Sequence, residues 1–169
     1  DSDPILGPEM KSTGEVMGTG LSFGEAYIKS QNAAGIKIPQ SGTVFLSVRE
    51  PDKTTVLLNL ARLLLNKGFS IIATEGTSVF LNANNIQTSY INKVHQGKPH
   101  IVDAIKKGEI DLIINTTEGK QSIEESFSIR AEAVIRDVTY YTSLEASIAT
   151  MDAFDYFNMV SVNRLQDYY

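Results

Sequence analysis

From residue 43 onward the chain alternates five short β-branched runs with five helical stretches, and that alternation limits the fold more than any other feature. The runs are "TVFLSV" (43–48), "FSIIAT" (69–74), "TSYIN" (88–92), "DLIINT" (111–116) and "VTYYT" (138–142). Between and after them lie "DKTTVLLNLARLLLNKG" (52–68), "TSVFLNANN" (77–85), "HIVDAIKKGE" (100–109), "SIEESFSIRAEAVIRD" (122–137) and "SLEASIATMDAF" (143–154). Asp52 reads as an N-cap and Gly68 as the stop of the first of these helices. Near-continuous apolar strands with short connections imply a sheet buried on both faces. Right-handed crossovers then leave few topologies. The pattern predicts an α/β fold built on a five-stranded, mainly parallel, doubly wound sheet.

Ahead of this unit, residues 1–20 hold two prolines and four glycines without sustained periodicity, which predicts an irregular arm. "SFGEAYIKSQNAAG" (22–35) follows, with Ser22 and Glu25 in capping-box spacing and Gly35 at its end, so a helix is expected there. The chain starts at Asp1 rather than Met, as expected of a piece of a longer polypeptide. Hydrophobic residues at 42 % and charged residues at 21 % over 169 residues fit one soluble globular domain with tails. No window suits a bilayer span and no secretory signal is seen. The absence of cysteine excludes disulfides and thiolate metal sites and is compatible with the cytosol, the expected location. A net charge of −5 argues against nucleic acid or membrane as partners, so any bound anion must be held by a local site.

In doubly wound sheets ligands bind beyond the carboxyl ends of the strands. That edge collects Ser47 and Lys53 after the first strand, and Thr74, Gly76 and Thr77 after the second. It collects Asn92 and Lys93 after the third, Asn115, Thr116 and Thr117 after the fourth, and Thr142 after the fifth. Hydroxyls, amides and ammonium groups dominate, with no histidine or carboxylate dyad. These are phosphate-binding groups: a helix N-terminus offers free N–H groups and the positive end of its dipole. Thr74 and Thr77 can donate O–H bonds, Gly76 allows close backbone approach, and Lys53 and Lys93 supply charge. Asn115 and Thr117 are placed to meet a ribose or a base edge. The set predicts a monophosphate with an attached polar body.

Other motifs carry less. His95 and His100 are five apart with no acidic or cysteine ligand beside them, so no metal is expected. "NTT" at Asn115 matches a glycosylation sequon but falls where a buried strand ends. No P-loop, nucleophile elbow or dinucleotide fingerprint is present. The tyrosines Tyr140, Tyr141, Tyr156, Tyr168 and Tyr169 read as packing or tail rather than a stacking platform.

Five stretches, "LGPEMKSTGEVMG", "LSVREPDK", "ATEGT", "NKVHQGKPH" and "INTTEG", resemble in order and approximate spacing the C-terminal end of the large chain of carbamoyl phosphate synthase. The resemblance runs to about Phe154. It implies that residues 1–35 end the preceding ATP-using half with a linker, that 36–154 form a methylglyoxal-synthase-like regulatory domain, and that 155–169 are a tail. In that family the parent makes carbamoyl phosphate from glutamine, bicarbonate and two ATP, with Mg or Mn and a small glutaminase chain, for arginine and pyrimidine synthesis. The regulatory domain holds no cofactor or catalytic residue; it binds UMP as inhibitor and IMP as activator, and contributes to the ornithine response. Carried over by position, Lys53, Thr74, Thr77 and Lys93 would hold the phosphate. Asn115 and Thr117 would face ribose and base, and Thr142 would be this domain's contribution to ornithine.

The match has departures. Glu75 stands where the bacterial motif often has histidine, which would weaken phosphate binding if the carboxylate points inward. "FLNANN" and "IKIPQ" look more like the animal urea-cycle enzymes, whose domain binds N-acetylglutamate. Lys93 and Thr117, which those enzymes lack, favour the nucleotide. A methylglyoxal-synthase-type phosphate lyase is the other alternative, yet "GGDQQ" and "WDP" are replaced here by "HQGKPH" and "NTTEG".

Overall fold

The computed structural model describes residues 16–116 and 120–159, together with Val162, Arg164 and Gln166. The elements are α1 (Phe23–Ala33), β1 (Gly42–Ser47), α2 (Thr55–Asn66), β2 (Phe69–Ala73), α3 (Glu75–Ala83) and β3 (Ser89–Tyr90). They continue with α4 (Ile101–Lys106), β4 (Leu112–Asn115), α5 (Lys120–Ile135), β5 (Thr139–Tyr141) and α6 (Leu144–Asp152). Short 3-10 turns cover Glu50–Asp52, Val94–Gln96 and Phe154–Met159. The strands form one sheet in the order β3-β2-β1-β4-β5, and all four pairings are parallel. The expected doubly wound sheet is therefore present, parallel throughout rather than mainly so. Its third strand is shorter than expected, two residues at an edge.

Alternation along β1 explains the two layers. Val44 and Leu46 face one side, where α2 brings Leu57, Leu60, Ala61 and Leu64 and α3 brings Leu81. Phe45 faces the other, against Ile101 and Ile105 of α4 and Ile129 and Ala133 of α5. Phe45, Leu60 and Leu64 are fully buried, so both faces of the central strand are sealed by helices.

A third apolar group joins Ile28 of α1 to Ile38 and Ala153, with Tyr27, Tyr156 and Phe157 around it. A Cβ at Gly24 would stand 2.4 Å from the Tyr156 ring, so glycine is what allows α1 to approach. Tyr27, Thr150 and Tyr141 form a hydroxyl chain between α1, α6 and β5, with contacts of 3.0 and 2.9 Å. Burial pushes the Tyr141 hydroxyl up to about 12.

Side-chain caps start α1, α2 and α6, one of them displaced from the expected residue. Ser22 caps α1 through the Glu25 amide at 3.2 Å, while the Glu25 carboxylate accepts from the Leu21 amide at 3.0 Å. Ser143 caps α6 through Ala146 at 3.3 Å. Asp52, expected to cap α2, does not. Pro51 initiates a 3-10 turn there, and Asp52 instead accepts from Arg49 Nε at 2.8 Å. Thr54 takes over as cap, its hydroxyl accepting from the Val56 amide at 3.2 Å. Lys53 consequently sits in the turn ahead of α2, not in its first helical turn.

Candidate functional site

The strand order reverses direction at β1: β2 and β3 lie to one side, β4 and β5 to the other. Connections leaving β1 and β4 thus diverge, and a crevice opens between their carboxyl ends. Ser47 and Asn115 end these strands as register partners, so their side chains begin the two walls of the crevice.

The first wall is built from β1, β2 and the start of α3. The Thr74 amide continues the sheet by donating to the Leu46 carbonyl at 3.2 Å. Its hydroxyl lies 3.3 Å from Ser47 Oγ and 3.4 Å from Thr77 Oγ1. Thr77 Oγ1 accepts from the Val48 amide at 3.1 Å. Thr74 is the N-cap of α3 by backbone conformation, yet makes no side-chain cap bond, which leaves the first-turn amides open. Lys53 closes this wall. Its side chain is only 14 % exposed, and its ammonium lies 3.0 Å from where a Cβ of Gly76 would stand. A side chain at position 76 would displace that ammonium from the helix mouth. Glu50, itself 83 % exposed, is its ion-pair partner at 2.5 Å. Glu75 is exposed.

The second wall comes from β4, α5 and β5. Asn115 is buried and its Nδ2 donates to Ser126 Oγ at 3.0 Å and to the Tyr140 hydroxyl at 2.8 Å. Both of its N–H groups are thereby engaged. Arg130 stacks over the Tyr140 ring at 5.3 Å from the centroid. Lys93 forms the lip, its amide donating to Gln96 Oε1 at 2.7 Å at the start of the Val94–Gln96 turn.

The walls are tied beneath the crevice. The Arg49 amide donates to Thr116 Oγ1 at 3.1 Å. Asp52 is held below the usual carboxylate range, first by the Arg49 hydrogen bond and then, against the opposing effect of burial, by the Thr116 hydroxyl.

Ser47, Thr74, Lys93, Asn115 and Ser126 line one cleft, with Phe45 and Ile129 as its apolar floor. Its free volume is about 20 Å³, room for a water-sized group. Of the residues expected at this edge, Thr74, Lys93 and Asn115 therefore converge directly. Lys53 adjoins them over Gly76. Thr77, 1 % exposed, stands behind Thr74 and positions it. Thr142 is exposed beyond β5 and does not line the cleft. Thr117 lies outside the described residues. Sequence reasoning missed Ser126, Ile129 and Tyr140. The first two fall on one side of α5 at a three-residue spacing, in phase with Ala133, which marks the inward face. Tyr140 carried no local signal. Among the described residues no cluster of His, Asp and Glu could hold a metal, and no helix is long and apolar enough to cross a membrane.

Comparison with known proteins places the chain in a family. The family model for the MGS-like domain matches residues 56–142, which includes the ends of β2, β4 and β5. The chain is 49 % identical over 165 residues to the carbamoyl phosphate synthase large chain of Xanthomonas axonopodis pv. citri, covering 98 % of this chain and 15 % of that protein. It is 50 % identical over 165 residues to that of Pseudomonas syringae pv. tomato, with the same coverage. For Archaeoglobus fulgidus the figures are 52 % over 153 residues, 90 % of this chain and 14 % of the relative. The similarity falls on the C-terminal region of these large chains, and this chain spans about 15 % of their length. The chain belongs to the MGS-like domain family.

Proposed function

We propose that this chain is the effector-binding domain of a carbamoyl phosphate synthase large chain, and that the crevice between β1 and β4 takes a nucleoside monophosphate. The observation that carries the reading is the convergence of Ser47, Thr74 at the α3 N-terminus, Lys93 and Asn115 on one cleft, with Lys53 beside it. The phosphate meets the first-turn amides of α3 and the ammonium of Lys53, which exchanges Glu50 for it. Asn115 presents its carbonyl oxygen to the ribose or base, a role that the family resemblance also gives to Thr117. Exposure of Glu75 removes the obstacle that its charge would pose inside. The cleft has to widen to admit a nucleotide, and the half-buried lip at Lys93 and Val94, in a short turn, is the part that moves.

UMP as inhibitor and IMP as activator are the effectors of this reading. Thr142 belongs to an ornithine site completed by residues outside this chain. Residues 1–35 end the preceding half, 36–154 are the regulatory domain and 155–169 the tail. The parent makes carbamoyl phosphate from glutamine, bicarbonate and two ATP, with a small glutaminase chain, in the cytoplasm. A phosphate-lyase role is disfavoured because no carboxylate lines the cleft among the described residues.

Calorimetric titration with UMP, IMP and N-acetylglutamate tests the assignment. Heats with UMP or IMP that vanish in Lys93→Ala and Thr77→Ala are expected. Unchanged heats in both variants refute the cleft as the site, and tighter binding of N-acetylglutamate than of either nucleotide transfers the domain to that effector.

A further inference from the structure

Three hydrogen-bonding side chains meet where β4 ends. Asn115 is 4 % exposed, as is Ser126 of α5, and both line the cleft. The Asn115 amide nitrogen donates to Ser126 Oγ at 3.0 Å and to the Tyr140 hydroxyl of β5 at 2.8 Å. What sets this contact apart is the chemistry of the two partners. A hydroxyl both donates and accepts, whereas a backbone amide only donates and a backbone carbonyl only accepts. Asn82 is locked by a backbone group: its carbonyl oxygen accepts from the Thr88 amide at 3.1 Å, while its nitrogen donates to Ser78 Oγ at 3.0 Å. Asn92 is locked likewise, its nitrogen donating to the Gly97 carbonyl at 3.3 Å. Turning either amide over would set N–H against N–H or carbonyl against carbonyl.

Asn115 has no such lock. With its nitrogen inward, both hydroxyls accept. After half a turn about its last side-chain bond the carbonyl oxygen lies inward, and the same two hydroxyls donate to its two lone pairs. Among the described residues no backbone group is hydrogen-bonded to either hydroxyl. The tethers themselves are fixed in place. Ser126 is carried one turn ahead of the buried Ile129, and the Tyr140 ring has Arg130 over it at 5.3 Å.

We propose that Ser126 and Tyr140 are positioning residues that hold the Asn115 amide at the cleft in either orientation, so that one side chain meets a donor on one nucleobase and an acceptor on another. This role rests on the effector reading of the cleft and adds to it what the second wall selects. Uracil offers a ring N–H beside a carbonyl. Cytosine offers a ring nitrogen acceptor beside an amino group, the reverse pattern, and hypoxanthine and adenine differ in the same way. A locked asparagine separates the members of each pair, whereas one that turns over follows them. Such a contact suits a cleft that takes a pyrimidine and a purine nucleotide in turn.

Calorimetric titration of the chain with UMP, CMP, IMP and AMP, and with inorganic phosphate alongside, tests this. Within each pair the dissociation constants are expected to agree within about tenfold. Nuclear Overhauser contacts between the Asn115 amide hydrogens and the Tyr140 ring report the orientation: strong with one member of a pair, lost with the other. Asn115→Asp only accepts, and is expected to split each pair by roughly tenfold or more beyond the ratio in the unsubstituted chain. Its added charge acts on the phosphate common to both members and cancels in that ratio. Tyr140→Phe removes one tether and should weaken the nucleotides roughly two- to tenfold with inorganic phosphate unchanged. Overhauser contacts that stay the same across a pair, rejection of one member, an unmoved ratio in Asn115→Asp, or equal effects of Tyr140→Phe on nucleotides and phosphate each overturn the proposal and leave the effector reading standing. Binding of none of the four nucleotides refutes that reading and the proposal with it. The Overhauser measurement needs no substitution, so it decides the question even where Asn115→Asp does not fold.

Discussion

The two walls of the crevice are made on different terms. On the β1–β2–α3 side every polar group leans on the sheet or on its neighbour: Thr77 accepts from the Val48 amide, Thr74 meets both Ser47 and Thr77, and Lys53 is packed over Gly76. On the β4–α5–β5 side the Asn115 side-chain amide is held, among the described residues, by the side chains of Ser126 and Tyr140, and the helix behind it exposes Phe127 and Val134. Backbone-anchored groups cannot shift without breaking the sheet, whereas side chains on a helix with an open outer face move with that helix. The first wall is suited to recognise a constant group such as phosphate. The second is suited to sense what is attached and to pass the difference on.

If that division holds, the largest effect belongs to the first wall. Lys53→Ala removes its one charge, and UMP, IMP and inorganic phosphate should all weaken alike by about 1.5–3 kcal/mol, roughly ten- to hundred-fold in Kd. Titration of the three ligands decides it; a loss confined to the nucleotides would put Lys53 on the wrong side of the comparison. Thr77→Val comes next. It strands the buried Val48 amide, and a stability loss of about 1–3 kcal/mol is expected in urea unfolding, recovered in Thr77→Ser. Recovery by valine itself would mean that the Val48–Thr77 bond is dispensable.

The unequal legibility of the two walls in the sequence has the same origin. Strand and helix alternation, the Ser22 cap and the carboxyl-edge set of Thr74, Lys93 and Asn115 follow from local pattern, because each is specified within a few residues. The first wall is made of consecutive βα junctions, so the order of residues along the chain nearly spells its content. Ser126 and Tyr140 reach Asn115 from 11 and 25 residues away, and only the docking of α5 and β5 on β4 brings them there. Asp52 misled for a related reason. Both it and Thr54 can cap a helix, and the choice was made by Pro51 and by the pull of Arg49, a balance that propensity alone does not resolve.

Smaller effects probe the second wall and the boundary between the two. Asn115→Ala should weaken nucleotides by about 1 kcal/mol and leave inorganic phosphate untouched, if the proposed role of Asn115 toward the attached body holds. Equal losses for both ligands would merge the walls into one phosphate site. Glu50→Gln should act in the opposite direction. The exposed Glu50 carboxylate competes for Lys53, so neutralising it should tighten nucleotides and inorganic phosphate together by about 0.2–1 kcal/mol at low salt. Weaker binding in the variant would mean that Glu50 orients Lys53 instead of competing for it.

The smallest effect concerns the tie beneath both walls. Asp52 joins Arg49, which follows β1, to Thr116, which follows β4, and its pKa in the fold lies below the ordinary 3.8. A carboxylate depressed by folding contributes stability that is fully present above its unfolded pKa and drains away as pH falls through the folded one. Asp52→Asn removes that contribution at every pH. The variant should therefore be less stable than the parent sequence at pH 7, by about 0.2–1 kcal/mol for a pair at the surface, and the gap should close below about pH 4. Urea unfolding at pH 7, 4 and 3 measures it. A gap that persists undiminished at pH 3 would show that Asp52 acts through its shape rather than its charge, and that the two walls are joined by the Arg49 amide and Thr116 alone.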